Sequence, residues 1–234
     1  MLDNEVVVQK LEDLAHLDEG VIFKNMGIGV VKERGSKIGG VAIGDKIIWI
    51  GIPASDEILI PENLFERIPD GLEDGRVIFA GIGALAIQAI RESGLTFGEK
   101  AIVLGEGILK HILSQMLNLS GIRLLESGST QADEETDGIF VCREDEADIN
   151  PSIHLLRNKG VVVVLTEKNI GLSPKLLQEK RLRLVFPGQP QPETRNVCHP
   201  PAYMRWTIKK DLGLSLKLLG EIALDDKEQK QRGS

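Results

Sequence analysis

The sequence predicts an α/β fold, a doubly wound parallel sheet following a smaller β-rich unit, and three observations carry that prediction. From Gly75 onward, apolar runs of strand length alternate with segments of helical period, the pattern of parallel strands joined by crossover helices. Lys100-Ala101-Ile102-Val103-Leu104 runs into Gly105-Glu106-Gly107, after which Ile108, Ile112, Leu113, Met116, Leu117 and Leu119 recur at helical spacing. A buried strand therefore turns on glycine into a helix. Before Gly75 the apolar runs are short, β-branched and divided by glycine, which suits small strands.

In chain order, Val6-Val7-Val8 is the first strand, and a polar stretch containing His16 separates it from Val21-Ile22-Phe23 and Gly27-Ile28-Gly29-Val30-Val31. A loop spans Gly35 to Gly40. A turn at Gly44-Asp45 leads into Lys46-Ile47-Ile48-Trp49-Ile50, whose unbroken apolar run predicts burial on both faces. Ile58-Leu59-Ile60 is a strand closed by Pro61, and Pro69-Asp70-Gly71 is a turn. Val77 to Ile90 has helical period, with small residues at Ala80, Gly81, Gly83 and Ala84, and should stop at Ser93-Gly94. The helix after Gly107 runs to Ser120-Gly121. Ile122 to Glu126 is a second strand, Ser127 to Glu135 a polar loop or frayed helix, and Gly138 to Cys142 a third strand. Ser152 to Asn158 is expected as a helix and Val161 to Leu165 as a fully buried parallel strand. Lys175 to Glu179 reads as a helix and Leu182 to Phe186 as the last strand. Pro187 to Pro201 is a proline-rich, extended connection; Leu212, Leu216, Leu219 and Ile222 mark an amphipathic helix, and the end from Asp225 is charged and expected to be disordered.

The 234 residues suffice for one large or two modest domains, and 42% apolar content suffices for an ordinary core. A formal net charge of −7 argues against general affinity for nucleic acid or anionic membrane, both of which attract through excess Lys and Arg. Cys142 and Cys198 lack CxxC spacing, which supports neither a disulfide framework nor a zinc knuckle and suits a reducing, cytoplasmic setting. No apolar run approaches the ~20 residues of a membrane span.

The glycine loop is the main candidate site. In a strand-turn-helix unit the first glycine permits the turn, the second lets the backbone approach a pyrophosphate, and the helix N-terminus supplies N–H groups and partial positive charge. Gly105, Gly107 and Ile108 are accordingly the candidate phosphate contacts, although Lys110 stands where the dinucleotide fingerprint has its third glycine. Glu126, about twenty residues downstream at a strand's end, either accepts the ribose hydroxyls of NAD, repelling a 2′-phosphate, or is a solvated strand-end acid. An acid at Glu106 is unfavourable beside phosphate, whereas Lys110 can assist binding or be solvated. Cys142 and Thr166 occupy carboxyl ends of strands, where open α/β sheets bind ligands; Cys142 reads more readily as a small buried residue than as a nucleophile. Cys198-His199 is a thiolate-imidazole pair, half of a metal site or, more readily, plain loop chemistry, since adjacent residues of an extended chain seldom point the same way. His16 and His111 are either proton relays or structural, and Tyr203 and Trp206 either line a cleft or pack on the last helix.

The order of these segments resembles the medium-chain dehydrogenase/reductase superfamily over roughly residues 20 to 222. Gly27-Ile28-Gly29-Val30-Val31 resembles the glycine-rich strand of its GroES-like domain, and Gly44-Asp45-Lys46-Ile47-Ile48 its "GDxV" strand. Ile60-Pro61-Glu62-Asn63-Leu64 through Ile68-Pro69-Asp70-Gly71-Leu72 is similar to its "P…L…lPdgl" segment, and the helix from Gly81, the Gly98-Glu99-Lys100 turn and the Gly105-x-Gly107 loop follow in family order. The resemblance implies a reduced GroES-like β-rich domain over 1–74 and a Rossmann-like dinucleotide-binding domain over 75–188. Residues 189–234 would be an extended segment and a helix returning to the first domain, followed by the tail. It implies NAD(P) binding, alcohol or carbonyl redox chemistry and pairing into a homodimer. Where zinc-dependent members carry a His-Glu pair this chain has Asn25-Met26, and the cysteine of the helix-start region falls near Ile82. The four-cysteine lobe has no counterpart, so no zinc is expected. The expectation is a zinc-independent oxidoreductase using NAD(H) in preference to NADP(H) on an alcohol, carbonyl or enone small molecule. The alternatives are a non-catalytic nucleotide-binding or assembly protein, or one subunit of a larger oxidoreductase.

Overall fold

The structure is a computed structural model that describes residues 3–13, 25–53, 55–125, 135–142, 147–166, 169–187 and 206–222. It divides into two compact units. The described residues up to Ala84 form the first together with 206–222, and those from Leu85 to Pro187 form the second.

In the first unit, β1 (Glu5–Asp13), β2 (Met26–Arg34), β3 (Lys46–Ile50), β4 (Glu57–Pro61) and β5 (Phe65–Arg67) form an antiparallel sheet in the order β4-β1-β2-β3-β5. Ile47 to Ile50 are buried throughout, as their unbroken apolar run requires. Val6, Val31, Ile47, Trp49, Ile60 and Phe65 belong to one core cluster, and the Trp49 indole N–H donates to the Ile52 carbonyl at 3.0 Å. The Asp45 carboxylate accepts the Ala42 N–H at 2.7 Å, closing the turn into β3. The helical stretch after Asp74 is interrupted, with α1 (Asp74–Val77) ending before α2 (Ala80–Ser93) begins. The last helix, α6 (Ile208–Leu218), starts with its Thr207 hydroxyl accepting the Lys210 N–H at 3.3 Å and buries Leu212 and Leu216. Arg76 donates to the carbonyls of Leu219 and Ile222, at 2.6 and 3.2 Å, satisfying groups that the helix end leaves open.

The second unit is built on a parallel sheet in the order β12-β10-β8-β6-β7. Its strands are β6 (Lys100–Leu104), β7 (Arg123–Leu124), β8 (Thr136–Val141), β10 (Leu156–Val164) and β12 (Arg183–Val185). The 13-residue α3 (Gly107–Leu119) joins β6 to β7, and α5 (Pro174–Lys180) precedes β12. A separate two-stranded parallel ladder pairs β9 (Ala147–Asp148) with β11 (Ile170–Gly171). At the amino edge of the main sheet, Arg157 donates to Asp137 and, at 3.2 Å, to Glu99, while the Asp137 carboxylate also accepts the Lys100 N–H at 2.8 Å.

Two further expectations change. The helix over Ser152 to Asn158 is instead the short α4 (Asn150–Ile153), because Leu156 already pairs with Thr136 and belongs to β10. Lys159, at φ 63, interrupts that strand before its regular ladder resumes at Val161. Leu119, expected on the buried face of α3, is 53% exposed at the helix end.

Candidate functional site at the carboxyl edge of the parallel sheet

The chain leaves β6 through α3 to β7 on one side, then enters β8 on the other side of β6. The gap between the carboxyl ends of β6 and β8 is thus the topological switch point, where open α/β sheets bind ligands. Gly105 and Gly107 stand at this point with φ of 118° and 84°, backbone that L side chains rarely adopt. Glu106 lies between them as the N-cap of α3, extended and exposed, and no side chain caps the first turn. The amides of Gly107, Ile108 and Leu109 therefore offer donors and the positive end of a 13-residue helix to an anion. Ile108 is 6% exposed, so its side chain is core and only its backbone can serve a ligand.

Cys142 is one residue beyond β8, 5% exposed, and its N–H donates to the Leu104 carbonyl at 2.8 Å, extending the ladder to the foot of the glycine loop. Burial pushes its thiol up to about 12, opposed by the Lys110 ammonium, whose charge therefore acts at this same edge. Such a thiol stays protonated at neutral pH and is no nucleophile. Thr166 is buried two residues beyond β10, after Leu165, whose N–H donates to the Val141 carbonyl at 2.9 Å. Gly105, Gly107, Cys142 and Thr166 thus close three strands at one sheet edge. Glu126 lies outside the described residues, as do His16, Cys198, His199, Tyr203 and the tail from Asp225. The His111 ring shares a 2.7 Å hydrogen bond with the Gln115 amide within α3, a contact internal to the helix, and Trp206 is 46% exposed ahead of α6.

The sequence reading missed how the carboxyl-edge loops are tied together. The β9–β11 ladder, an Ile149 N–H to Gly171 carbonyl bond of 3.1 Å and a Ser173 N–H to Asn150 carboxamide bond of 2.8 Å join the segments after β8 and β10. Two strands of two residues each carry no alternation to read.

The buried Cys142 thiol has a stability consequence. Below about pH 9 it is protonated in folded and unfolded chain alike and contributes no slope. Between about 9 and about 12 the unfolded chain releases this proton while the folded chain keeps it, so stability falls as pH rises. Its share is roughly 1 kcal/mol per pH unit. Urea unfolding at successive pH values above 9 should show this decline, and Cys142→Ala should remove that part of the slope.

The positions singled out for zinc ligands are in the first unit. The Asn25 carbonyl accepts the Gly51 N–H at 2.8 Å, Met26 is 2% exposed and Ile82 is 1% exposed. Met26 packs on Gly81 so closely that a Cβ there would sit 1.9 Å from its sulfur. Among the described residues, no three of His, Cys, Asp or Glu converge as metal ligands. A hollow of about 250 Å³ elsewhere in this unit is lined partly by Lys46, Asp45, Arg67 and Asp70. Arg67 there pairs with Asp45 and Asp70, each at 3.1 Å.

No family model and no curated protein matches the sequence. Solved structures do match. An alcohol dehydrogenase from Thermus sp. ATN1 superposes with a TM-score of 0.67 at 14% identity, over 98% of this chain and 85% of that one. The chain has the medium-chain dehydrogenase fold. CAD from Helicobacter pylori, complexed with NADP(H), shares this fold with a TM-score of 0.65 at 15% identity, over 94% of this chain and 81% of that one. The quinone oxidoreductase of Coxiella burnetii gives 0.62 at 15% identity, over 94% and 80%. The parallel sheet is the Rossmann-like part of this fold and the antiparallel sheet its GroES-like part. No described helix is long and apolar enough to cross a membrane.

Proposed function

We propose that the chain binds a nicotinamide dinucleotide at the carboxyl edge between β6 and β8 and acts as a zinc-independent oxidoreductase on a small alcohol, carbonyl or enone. The observation that carries the proposal is the left-handed glycine pair at the uncapped N-terminus of α3, placed at the switch point of a parallel sheet. These residues fit a pyrophosphate: the backbone can approach closely, the first-turn amides donate, and Lys110 adds a full positive charge at the same edge. The bound nucleotide would supply a hydride donor or acceptor. The chain's task is to orient that group and exclude water. In this reading polarisation of the substrate oxygen falls to a Tyr, Lys or backbone donor, and the close packing of Met26 on Gly81, next to the positions where the resemblance would put zinc ligands, supports it.

Calorimetric titration with NADH and NADPH tests the cofactor, with NADH the tighter ligand if Glu126 meets the ribose. No heat with either nucleotide at millimolar concentration would sink the proposal, and binding without turnover of any carbonyl or enone would remove its oxidoreductase half. Lys110→Gln should weaken nucleotide binding about five- to tenfold, or about 1 kcal/mol, and flatten its salt dependence. A purely solvated Lys110 would leave both unchanged. The expected homodimer is measurable by sedimentation.

A further inference from the structure

Of the loop positions 105 to 107, only 106 carries a side chain without backbone strain. Gly105 and Gly107 have left-handed φ, whereas Glu106 between them is extended, with φ −138° and ψ 179°. Glu106 is exposed and is the N-cap of α3. Short polar residues close a helix from this position by accepting an amide of its first turn. The Glu106 side chain makes no such bond. It leaves the amides of Gly107, Ile108 and Leu109 without a side-chain cap while holding a negative charge beside them.

These features act in opposite directions on an anion. The amides and the positive end of the helix attract it. The carboxylate, on a flexible side chain rooted at the residue before the first of those amides, repels it. Lys110, whose charge acts at the same edge, offsets this only in part. A pyrophosphate, with a charge on each phosphate, and the Glu106 carboxylate together outweigh one ammonium. A hard divalent cation removes the conflict, because carboxylate and phosphate oxygens are its ordinary ligands. Mg²⁺ keeps several of its waters and binds through one or two carboxylates together with substrate phosphates, so it needs no cage of protein ligands. Such a site forms when the nucleotide arrives, with Glu106 supplying one ligand and the phosphates others.

We propose that Glu106 makes this loop a magnesium-assisted dinucleotide site, its carboxylate opposing the bare pyrophosphate and sharing a Mg²⁺ ion with it when the ion is present. This rests on the nicotinamide-nucleotide reading and adds the regulation of that site by a divalent cation. By linkage, NADH promotes Mg²⁺ binding by the same factor by which Mg²⁺ promotes NADH binding.

The test is calorimetric titration of the full chain and of its Glu106→Gln variant with NADH, in EDTA and in about 5 mM magnesium chloride, with ionic strength matched by potassium chloride so that screening is equal. Mg²⁺ is expected to tighten NADH binding to the parent about tenfold, about 1.4 kcal/mol. Glu106→Gln is expected to bind NADH in EDTA more tightly than the parent does and to gain nothing from Mg²⁺. Glu106 is exposed, so the variant keeps its fold, which thermal unfolding checks. Equal parent affinities with and without Mg²⁺ overturn the inference and leave the nucleotide reading intact. So does the same Mg²⁺ response in parent and variant, which would place the ion's effect on the nucleotide alone. No binding of NADH to either chain under either condition overturns both.

Discussion

Replacing Gly105 with valine is expected to weaken NADH binding by about 100-fold or more, about 3 kcal/mol, while the chain remains folded. Gly105 has φ 118°, a region that a β-branched residue enters only at a cost of about 1–3 kcal/mol. The loop can escape that strain only by rotating its backbone. Rotation misaligns the amides of Gly107 and Ile108, which follow directly and open α3. The valine side chain would also stand where the phosphates must approach the backbone. Both effects fall on the bound state. The core beneath loses nothing, because Ile102, Leu104, Ile139 and Val141 remain packed together. Calorimetry with NADH reads the affinity and thermal unfolding reads the fold. A Gly105→Val protein that binds NADH as the parent does would show that the phosphates do not sit on this loop.

The sequence made the ends of the second unit's elements legible where apolar period and glycine coincide. Val103-Leu104 before Gly105 fixes the end of β6, and Ser120-Gly121 follows α3 directly. It was least legible where tertiary pairing overrides local preference. Leu155-Leu156-Arg157 has helical composition, but pairing of Leu156 with Thr136 draws it into β10. Of the strand expected over Ile122 to Glu126, Arg123 and Leu124 pair with β6 and the Leu125 N–H donates to the Ala101 carbonyl, while Glu126 lies outside the described residues. For the site, the sequence located the glycine turn and the carboxyl-edge positions, since both follow from strand ends. It left undecided whether Lys110 was solvated, because one turn of helix leaves a long side chain free to point either way. Its effect on the buried Cys142 thiol links it to the edge.

Gly81→Val is expected to destabilise the first unit by about 3 kcal/mol, the upper range for overpacking, and Met26→Ala in the same chain should recover part of that loss. Even a single Cβ at Gly81 would lie 1.9 Å from the Met26 sulfur and 2.9 Å from its methyl carbon. The thioether cannot swing into solvent, because Met26 is 2% exposed and opens β2 in register with Ile50. Nor can the glycine side retreat easily, since Ala80, Ile82 and Ala84 around it are all buried. Either β2 or the first turn of α2 must move. Met26→Ala alone should cost about 2–3 kcal/mol by leaving a cavity, and the double variant should lose less than the sum of the two single changes. Urea unfolding followed through Trp49 fluorescence reports on this unit, since Trp49 pairs with Gly27 next to Met26. Strict additivity would mean that sulfur and glycine are not in contact, and the proposal of a zinc-independent site would lose that support. Coupling of about 1 kcal/mol or more would establish the Met26 sulfur on Gly81 as a packed contact at the start of α2.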